Sequence, residues 1–253
     1  MSEDNKIVVI KFGSGILTKP NGISLDDNQF DGLVRAVAEV HNSGMRPVIV
    51  SSGAAAAGMM AFGINKRPDD LAALQACCAV GQTRLMHFYE TLFRQYELNV
   101  AQLLLTNEDF STPKRTQNVT NTFEQLLKHD DVIPIINEND SVATEELKFG
   151  DNDSLSASIS ILIKASLLII LTEVDGLIDS DGNIINEIND IEDALTHVRS
   201  DTGTYSVGGM TTKLDAIHTA SKAGVPALIA NGRKYDQINE LISGVGLCTR
   251  IKS

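Results

Sequence analysis

Ile7-Val8-Val9-Ile10-Lys11-Phe12-Gly13-Ser14-Gly15 decides the fold. It opens as an uninterrupted β-branched run, the pattern of a strand buried on both faces, and ends abruptly in a lysine and closely spaced glycines. Such a strand needs neighbours on either edge and cover on either face, and the downstream sequence supplies both. Val48–Val50, Val100–Leu105, Val132–Ile136, Leu167–Leu171 and Ala227–Ile229 are runs of the same kind, with Gly246–Ile251 as an expected last strand. Between the first two runs, Phe30, Leu33, Val34, Val37 and Val40 repeat at i, i+3, i+4, i+7, the period of an amphipathic helix. Asp26 and Asp27 sit at its start, where carboxylates suit the positive end of the dipole, and Gly44 follows its end. A long helix is expected from Pro68 towards Tyr96, and another from about Lys114 to His129.

This βαβα alternation places the chain in the α/β class, with a mainly parallel sheet covered by helices. Val142–Phe149 and Gly176–Ile188, the latter with an Asp181-Gly182-Asn183 turn, break the rhythm and read as β-hairpins. The 253 residues suffice for one large domain or two small ones, and no linker or repeat divides them. The composition, 43% hydrophobic and 21% charged with 6 Pro, is that of a globular chain. A net charge of −12 argues against nucleic acid as partner. Cys77, Cys78 and Cys248 form neither a disulfide framework nor a metal knuckle, which fits a reducing, cytoplasmic compartment. The acidic N-terminus is unlike a secretory signal, and the most apolar stretch, Ile159–Leu171, is too short for a bilayer and carries Lys164. It reads as the end of a buried helix followed by a strand.

Ligands of open parallel sheets bind beyond the carboxyl ends of the strands. There the sequence places Lys11–Gly15, Ser51–Gly58, Asn137–Ser141 and Thr172-Glu173, all rich in small and polar residues. Gly53–Gly58 has P-loop spacing, but Met59-Met60 replaces the required Lys-Ser/Thr, so a Walker A motif is excluded. The simpler reading is a tight strand-to-helix turn, whose N–H groups still offer an anion site. Lys11 could snorkel to the surface; Gly13 and Gly15 instead favour a polyanion close to backbone. Gly208-Gly209-Met210-Thr211-Thr212-Lys213 enters a helix containing Leu214, Ile217 and Ala220, and is a plausible phosphate cradle. Gly150-Asp151-Asn152-Asp153-Ser154 has the look of an N-cap cluster. Asp179–Gly182 lacks the later glutamate of a calcium loop, and no histidine pair has zinc spacing, so no protein metal site is expected. GxSxG is absent.

Taken in order, Val9–Ser14, Val48–Ala54, Val132–Asp140, Lys148–Ala157 and Gly208–Lys213 resemble the amino acid kinase family, most closely its glutamate-phosphorylating branch, across essentially the whole chain. The resemblance implies a three-layer α/β/α sandwich of carbamate kinase type in residues 1–253, with about 1–165 binding glutamate and 166–253 binding ATP. It implies transfer of phosphoryl from MgATP to the γ-carboxylate of L-glutamate, the first step of proline biosynthesis, with proline as a feedback inhibitor. By the family pattern Lys11 and Lys213 flank the transferred group and Asp153 orients them. Gly13, Gly53 and Gly209 give N–H groups to phosphate. Ser52, Gly53, Asn137, Asp140 and Asn152 form the glutamate site, with Ala54 and Asp151 as weaker members. Lys11, Gly13, Thr172, Glu173, Val207, Gly208, Gly209, Met210, Thr211, Thr212 and Lys213 face the nucleotide. Glu173 and Val207 stand where the family usually has aspartate and threonine. Many relatives continue into a PUA domain, which is not expected here. A homodimer or homotetramer is implied, with the helix after Pro68 as a contact surface. Rival readings are an acetylglutamate, aspartate or carbamate kinase, or a catalytically silent ligand sensor.

Overall fold

The structure is a computed structural model that describes residues 6–20, 22–142, 152–200 and 207–251. In chain order its elements are β1 (Ile7–Phe12), α1 (Ser14–Leu17), α2 (Asp27–Asn42), β2 (Arg46–Ser51), α3 (Ala54–Phe62), α4 (Leu71–Phe93), β3 (Asn99–Leu105), α5 (Pro113–Leu126) and β4 (Val132–Glu138). They continue with α6 (Asn152–Leu162), β5 (Leu167–Thr172), β6 (Leu177–Ile178), β7 (Ile184–Ile185), β8 (Glu187–Ile188), α7 (Ile191–Ser200), α8 (Val207–Lys222), β9 (Ala227–Asn231), α9 (Ile238–Ile242) and β10 (Cys248–Ile251).

Among the described residues, an 8-stranded sheet runs in the order β3-β4-β2-β1-β5-β9-β10-β8. Its pairs are parallel except for β9 with β10. The two-residue period of a strand distributes the apolar runs over two faces. Val8, Ile10 and Phe12 of β1, Ile49 of β2 and Ile133 and Ile135 of β4 join one core with α2 and α4. Val9 of β1, Val48 and Val50 of β2 and Leu168 and Ile170 of β5 join a second core with α5, α6 and α8. A sheet with helices on each face is the three-layer sandwich expected from the sequence.

The long helix α2 is capped by Asp26, whose side chain accepts from Gln29 N, and it ends before Gly44 at φ 86°. The helix expected from Pro68 begins instead at Leu71, because Asp70 is the cap that accepts from Ala73 N. The Gly176–Ile188 hairpin forms as β6–β7, with Asp179 accepting from Asp181 N and Asn183 N to close the turn. Of the other expected hairpin, residues 143–149 lie outside the described residues. One expectation fails: Val100–Leu105 is not buried on both faces. β3 is an edge strand, with Gln102 and Leu104 exposed, since nothing in the sheet pairs beyond it among the described residues.

Strand order reverses around β1: the chain goes from β1 to β2 on one side, and later from β4 to β5 on the other. The carboxyl ends of β1 and β5 therefore flank a topological switch point, where the crevice of a doubly wound sheet opens. The Gly13 N–H spans it to Leu171 O at 3.4 Å.

Candidate active site

Lys11 is on β1 two residues after Val9, so its side chain points to the face covered by α6 and α8. It is only 4% exposed, which excludes snorkelling to solvent. A buried ammonium needs a partner. α6 supplies it: Lys11 Nζ lies 2.6 Å from Asp153 Oδ1. The other carboxylate oxygen, Oδ2, is 3.2 Å from Lys213 Nζ and accepts from Thr212 Oγ1 at 2.9 Å. Lys213 Nζ also donates to Gly209 O at 2.8 Å. One carboxylate thus holds two ammonium groups from different elements on the same side of the switch point.

Burial alone would raise the pKa of Asp153, but the charges of Lys11 and Lys213 outweigh it and hold the carboxyl below its ordinary value. Burial pulls the Lys11 ammonium below its ordinary pKa, with Asp153 opposing that shift and Lys213 adding to it. Asp153 is therefore committed as a counter-ion. The N-cap reading of Asn152 and Asp153 gives way accordingly, because both are the buried opening residues of α6 and face the strand ends.

Asn152 organises a second cluster. Its Nδ2 donates to Asn137 Oδ1 at 2.9 Å, Ser52 Oγ at 3.1 Å and Ser51 O at 3.2 Å, while its Oδ1 accepts from Glu138 N at 3.3 Å. Asn137 in turn donates to Gln82 Oε1 on α4 at 2.9 Å. Behind it, Ser51 Oγ shares a 2.8 Å hydrogen bond with the buried Tyr89 hydroxyl. Asp140 lies beside this cluster, lining a cavity of about 210 Å³ with Cys78, Gln82 and Glu138. Burial raises the Asp140 carboxyl above its ordinary pKa, opposed by a hydrogen bond from Cys78 and by the charge of Arg67.

The Gly53–Gly58 motif divides into two functions. Gly53 is the N-cap of α3 at φ 105°, a conformation that favours glycine. Gly58 lies inside α3, where a Cβ would stand 1.8 Å from Cys77 O, and at Gly81 a Cβ would stand 1.8 Å from Ala54 O. These glycines let α3 and α4 meet backbone to backbone, and Ala54 is the first residue of that contact.

Of the residues expected on the nucleotide side, Gly209 and Thr212 join the Lys213–Asp153 cluster, while Thr172 and Glu173 contact the loop after β9. Thr172 O accepts from Gly232 N, and Glu173 pairs with Arg233 at 3.6 Å and covers Gly15. Gly208 and Gly209 fall in the first turn of α8 with Val207 and Met210, where backbone N–H groups lack intrahelical acceptors. Thr211 follows them on the same helix; Asp151 lies outside the described residues. The Asn231–Lys234 loop belongs to the same edge and was missed by the sequence reading. Arg233 donates to Gly15 O at 2.6 Å and Thr18 O at 3.0 Å, and Lys234 pairs with Asp175 at 2.7 Å. The signal was available, since Ala227–Ile229 reads as a strand and its carboxyl end belongs with the others. Gln82 was also missed; it lies on an apolar helix whose spacing gives no sign of a site.

Two ammonium groups and a glycine-bearing helix start fit the phosphates of a nucleotide. Among the described residues no group of three or more His, Cys, Asp or Glu is placed to hold a metal ion. With Asp153 engaged by lysines, magnesium would come with the nucleotide.

Residues 6–231 match the family model of the amino acid kinase family, and the chain belongs to that family. Among curated proteins it is similar to a glutamate 5-kinase of Clostridium acetobutylicum, 42% identical over 96% of this chain and 92% of that one. A glutamate 5-kinase of Citrifermentans bemidjiense is 44% identical over 94% of this chain, which spans 65% of that longer protein. Among solved structures, a carbamate kinase from Giardia lamblia bound to AMP-PNP matches all of both chains with a TM-score of 0.63 at 14% identity, which shows the shared fold. No helix among the described residues is long and apolar enough to cross a membrane.

Proposed function

We propose that this chain transfers the γ-phosphoryl group of MgATP to the γ-carboxylate of L-glutamate, giving L-glutamyl 5-phosphate, the first step of proline biosynthesis. The observation that carries the proposal is the pair of buried or nearly buried lysines held by one carboxylate at the switch point, in a chain similar to glutamate 5-kinases over nearly its whole length. The substrate carboxyl, with an ordinary pKa near 4.3, is about 500-fold more ionised than protonated at pH 7. It needs no general base. What opposes reaction is the approach of a carboxylate to a polyanion, so catalysis rests on position and positive charge.

In this reading Lys11 and Lys213 stabilise the equatorial oxygens of the phosphoryl group as the new O–P bond forms and the bond to ADP breaks. Asp153 keeps both ammonium groups aimed and charged. The N–H groups of Gly53 and Gly209 serve the phosphates; the Gly13 N–H, expected to join them, donates instead to Leu171 O at 3.4 Å. Ser52, Asn137 and Asn152, with Gly53, Ala54 and Asp151, hold the glutamate carboxylate, while Asp140 takes its α-ammonium. Residues 1–165 then carry glutamate and 166–253 the nucleotide, where Thr172, Glu173 and residues 207–213 surround it. A silent sensor would have no use for two lysines locked on one aspartate. An N-acetylated substrate would offer Asp140 no ammonium.

MgATP-dependent acyl phosphate, trapped as the hydroxamate with hydroxylamine, tests the reading across glutamate, N-acetylglutamate, aspartate and carbamate. Glutamate is expected to give the signal; a signal only from a rival substrate defeats the assignment. Proline added to the same assay tests the feedback inhibition that the resemblance implies. Light scattering tests the homodimer or homotetramer, for which Met60, Phe62 and Val80 on α3 and α4 offer exposed apolar side chains. Fractionation of the source cells tests the cytoplasmic location.

A further inference from the structure

We infer that Gln82 is the specificity residue that binds the α-carboxylate of the amino-acid substrate; this rests on the glutamate kinase reading. The direction of its amide follows from its neighbours. The Glu138 backbone N–H can only donate, and it donates to Asn137 Oδ1 at 2.9 Å. That fixes the Asn137 amide, so Asn137 Nδ2 faces α4 and Gln82 must present Oε1 to it, as found at 2.9 Å. Gln82 Nε2 is left as a donor with no partner among the described residues, on a side chain that lines the cavity shared with Asp140 and Glu138.

A cavity bearing those carboxyl groups repels an incoming carboxylate unless a fixed donor meets it. Gln82 and Cys78 are i and i−4 on α4 and so share a face, about one 5.4 Å turn apart. Cys78 lines the cavity with Asp140, and Gln82 bonds Asn137. The cavity therefore offers an acceptor for ammonium on Asp140 and a donor for carboxylate on Gln82, the polarity of an α-amino acid head group. Through Asn137 and Asn152 the same amide is linked to Ser52.

The test compares L-glutamate with L-isoglutamine, which keeps the γ-carboxylate but carries a carboxamide in place of the α-carboxylate. Gln82→Glu keeps an oxygen for Asn137 but removes the donor, whereas Gln82→Ala removes both. Wild type is expected to prefer glutamate strongly. Gln82→Glu is expected to raise the glutamate KM by about 10- to 100-fold, the scale of one hydrogen bond to a charged group, and to shift preference towards isoglutamine. Gln82→Ala should lose discrimination without reversing it. The KM for ATP, read on the same preparations, reports a folded nucleotide site. If Gln82→Glu retains the wild-type preference while Gln82→Ala is impaired, the residue only positions Asn137 and the inference is overturned. If Gln82→Glu does not fold, unchanged discrimination in Gln82→Ala overturns it instead. Absence of glutamate turnover in wild type is a separate outcome that removes the parent reading and this inference with it.

Discussion

Lys11 Nζ and Asp153 Oδ1 are 2.6 Å apart, on side chains that are 5% and 3% exposed. Removing one partner of such a pair strands the other in low dielectric, at a cost of about 3–5 kcal/mol. Asp153→Asn leaves Lys11 beside Lys213 with no counter-charge among the described residues, so both stability and kcat should fall. The pH dependence has a definite sign. Burial pushes the Asp153 carboxyl up, but Lys11 and Lys213 pull it further down, so its folded pKa lies below the ordinary 3.8. Between those values the unfolded chain binds the extra proton. The stabilisation is therefore fully present above the unfolded pKa and lost as pH falls through the folded one. Urea midpoints at descending pH should show the gap between wild type and Asp153→Asn closing below about pH 4. A gap of constant size down to pH 3 would mean the charge is not its source.

Lys213 is tied to Asp153 Oδ2 and Gly209 O, yet its side chain is more exposed than that of Lys11, 14% against 5%. In the proposed reaction it is the ammonium more able to follow the phosphoryl group. Lys213→Ala should lower kcat by roughly 10²–10³-fold, the scale for loss of one stabilising donor, with a smaller effect on the glutamate KM. Steady-state kinetics by hydroxamate trapping decide it; wild-type turnover in this variant would sink the assigned role.

The parts legible in the sequence were those governed by local chemistry. β1, β2, β4 and β5 are continuous apolar runs, and α2 carries both its period and its cap. Lys11, Asn137, Asn152 and Lys213 stood out as polar residues at the ends of apolar elements. Pairing across the fold is not written in local pattern: the resemblance, not the N-cap look of its segment, pointed to Asp153 between the two lysines, and nothing pointed to Gln82 meeting Asn137. The role of Gly58 was hidden for the same reason: the P-loop reading was excluded from the sequence, but the contact with Cys77 on another helix could not be read there. The edge position of β3 is likewise a property of strand order, invisible in Val100–Leu105 itself.

Gly81 offers a test of how closely α3 must approach α4. A Cβ there would lie 1.8 Å from Ala54 O, and backbone cannot swing aside as a flexible side chain can. Gly81→Ala should cost roughly 1–3 kcal/mol, the range for overpacking, read as a fall in Tm. Because Ala54 adjoins Gly53 and Ser52, the glutamate KM should rise as well. Gly182→Ala is the control: its φ of 83° brings backbone strain, but nothing lies within 4 Å of the added carbon, so stability should fall without a change in KM. Equal KM values for wild type and Gly81→Ala would separate the helix contact from the substrate site.

Arg233 fastens the segment after β1 to the loop after β9. Its NH2 donates to Gly15 O at 2.6 Å and Thr18 O at 3.0 Å, its NH1 pairs with Asp26 at 3.3 Å, and Glu173 stands 3.6 Å away. The segment it fastens begins at Gly13, two residues after Lys11, so in the proposed reaction the guanidinium sets where backbone near the phosphates lies without touching the reacting atoms. Arg233→Met keeps the stem and deletes the fork. Since these bonds are partly exposed, about 1–1.5 kcal/mol of positioning is at stake, and the KM for ATP should rise by about 5- to 10-fold. The glutamate KM should hold, because Ser52, Asn137 and Asn152 are bonded to one another and not to Arg233. Arg233→Lys should recover part of the loss, as an ammonium can reach one carbonyl but cannot bridge two in a fixed plane. Steady-state kinetics with each substrate varied in turn check this; equal rises in both KM values would point to general loosening of the fold rather than a positioned nucleotide loop.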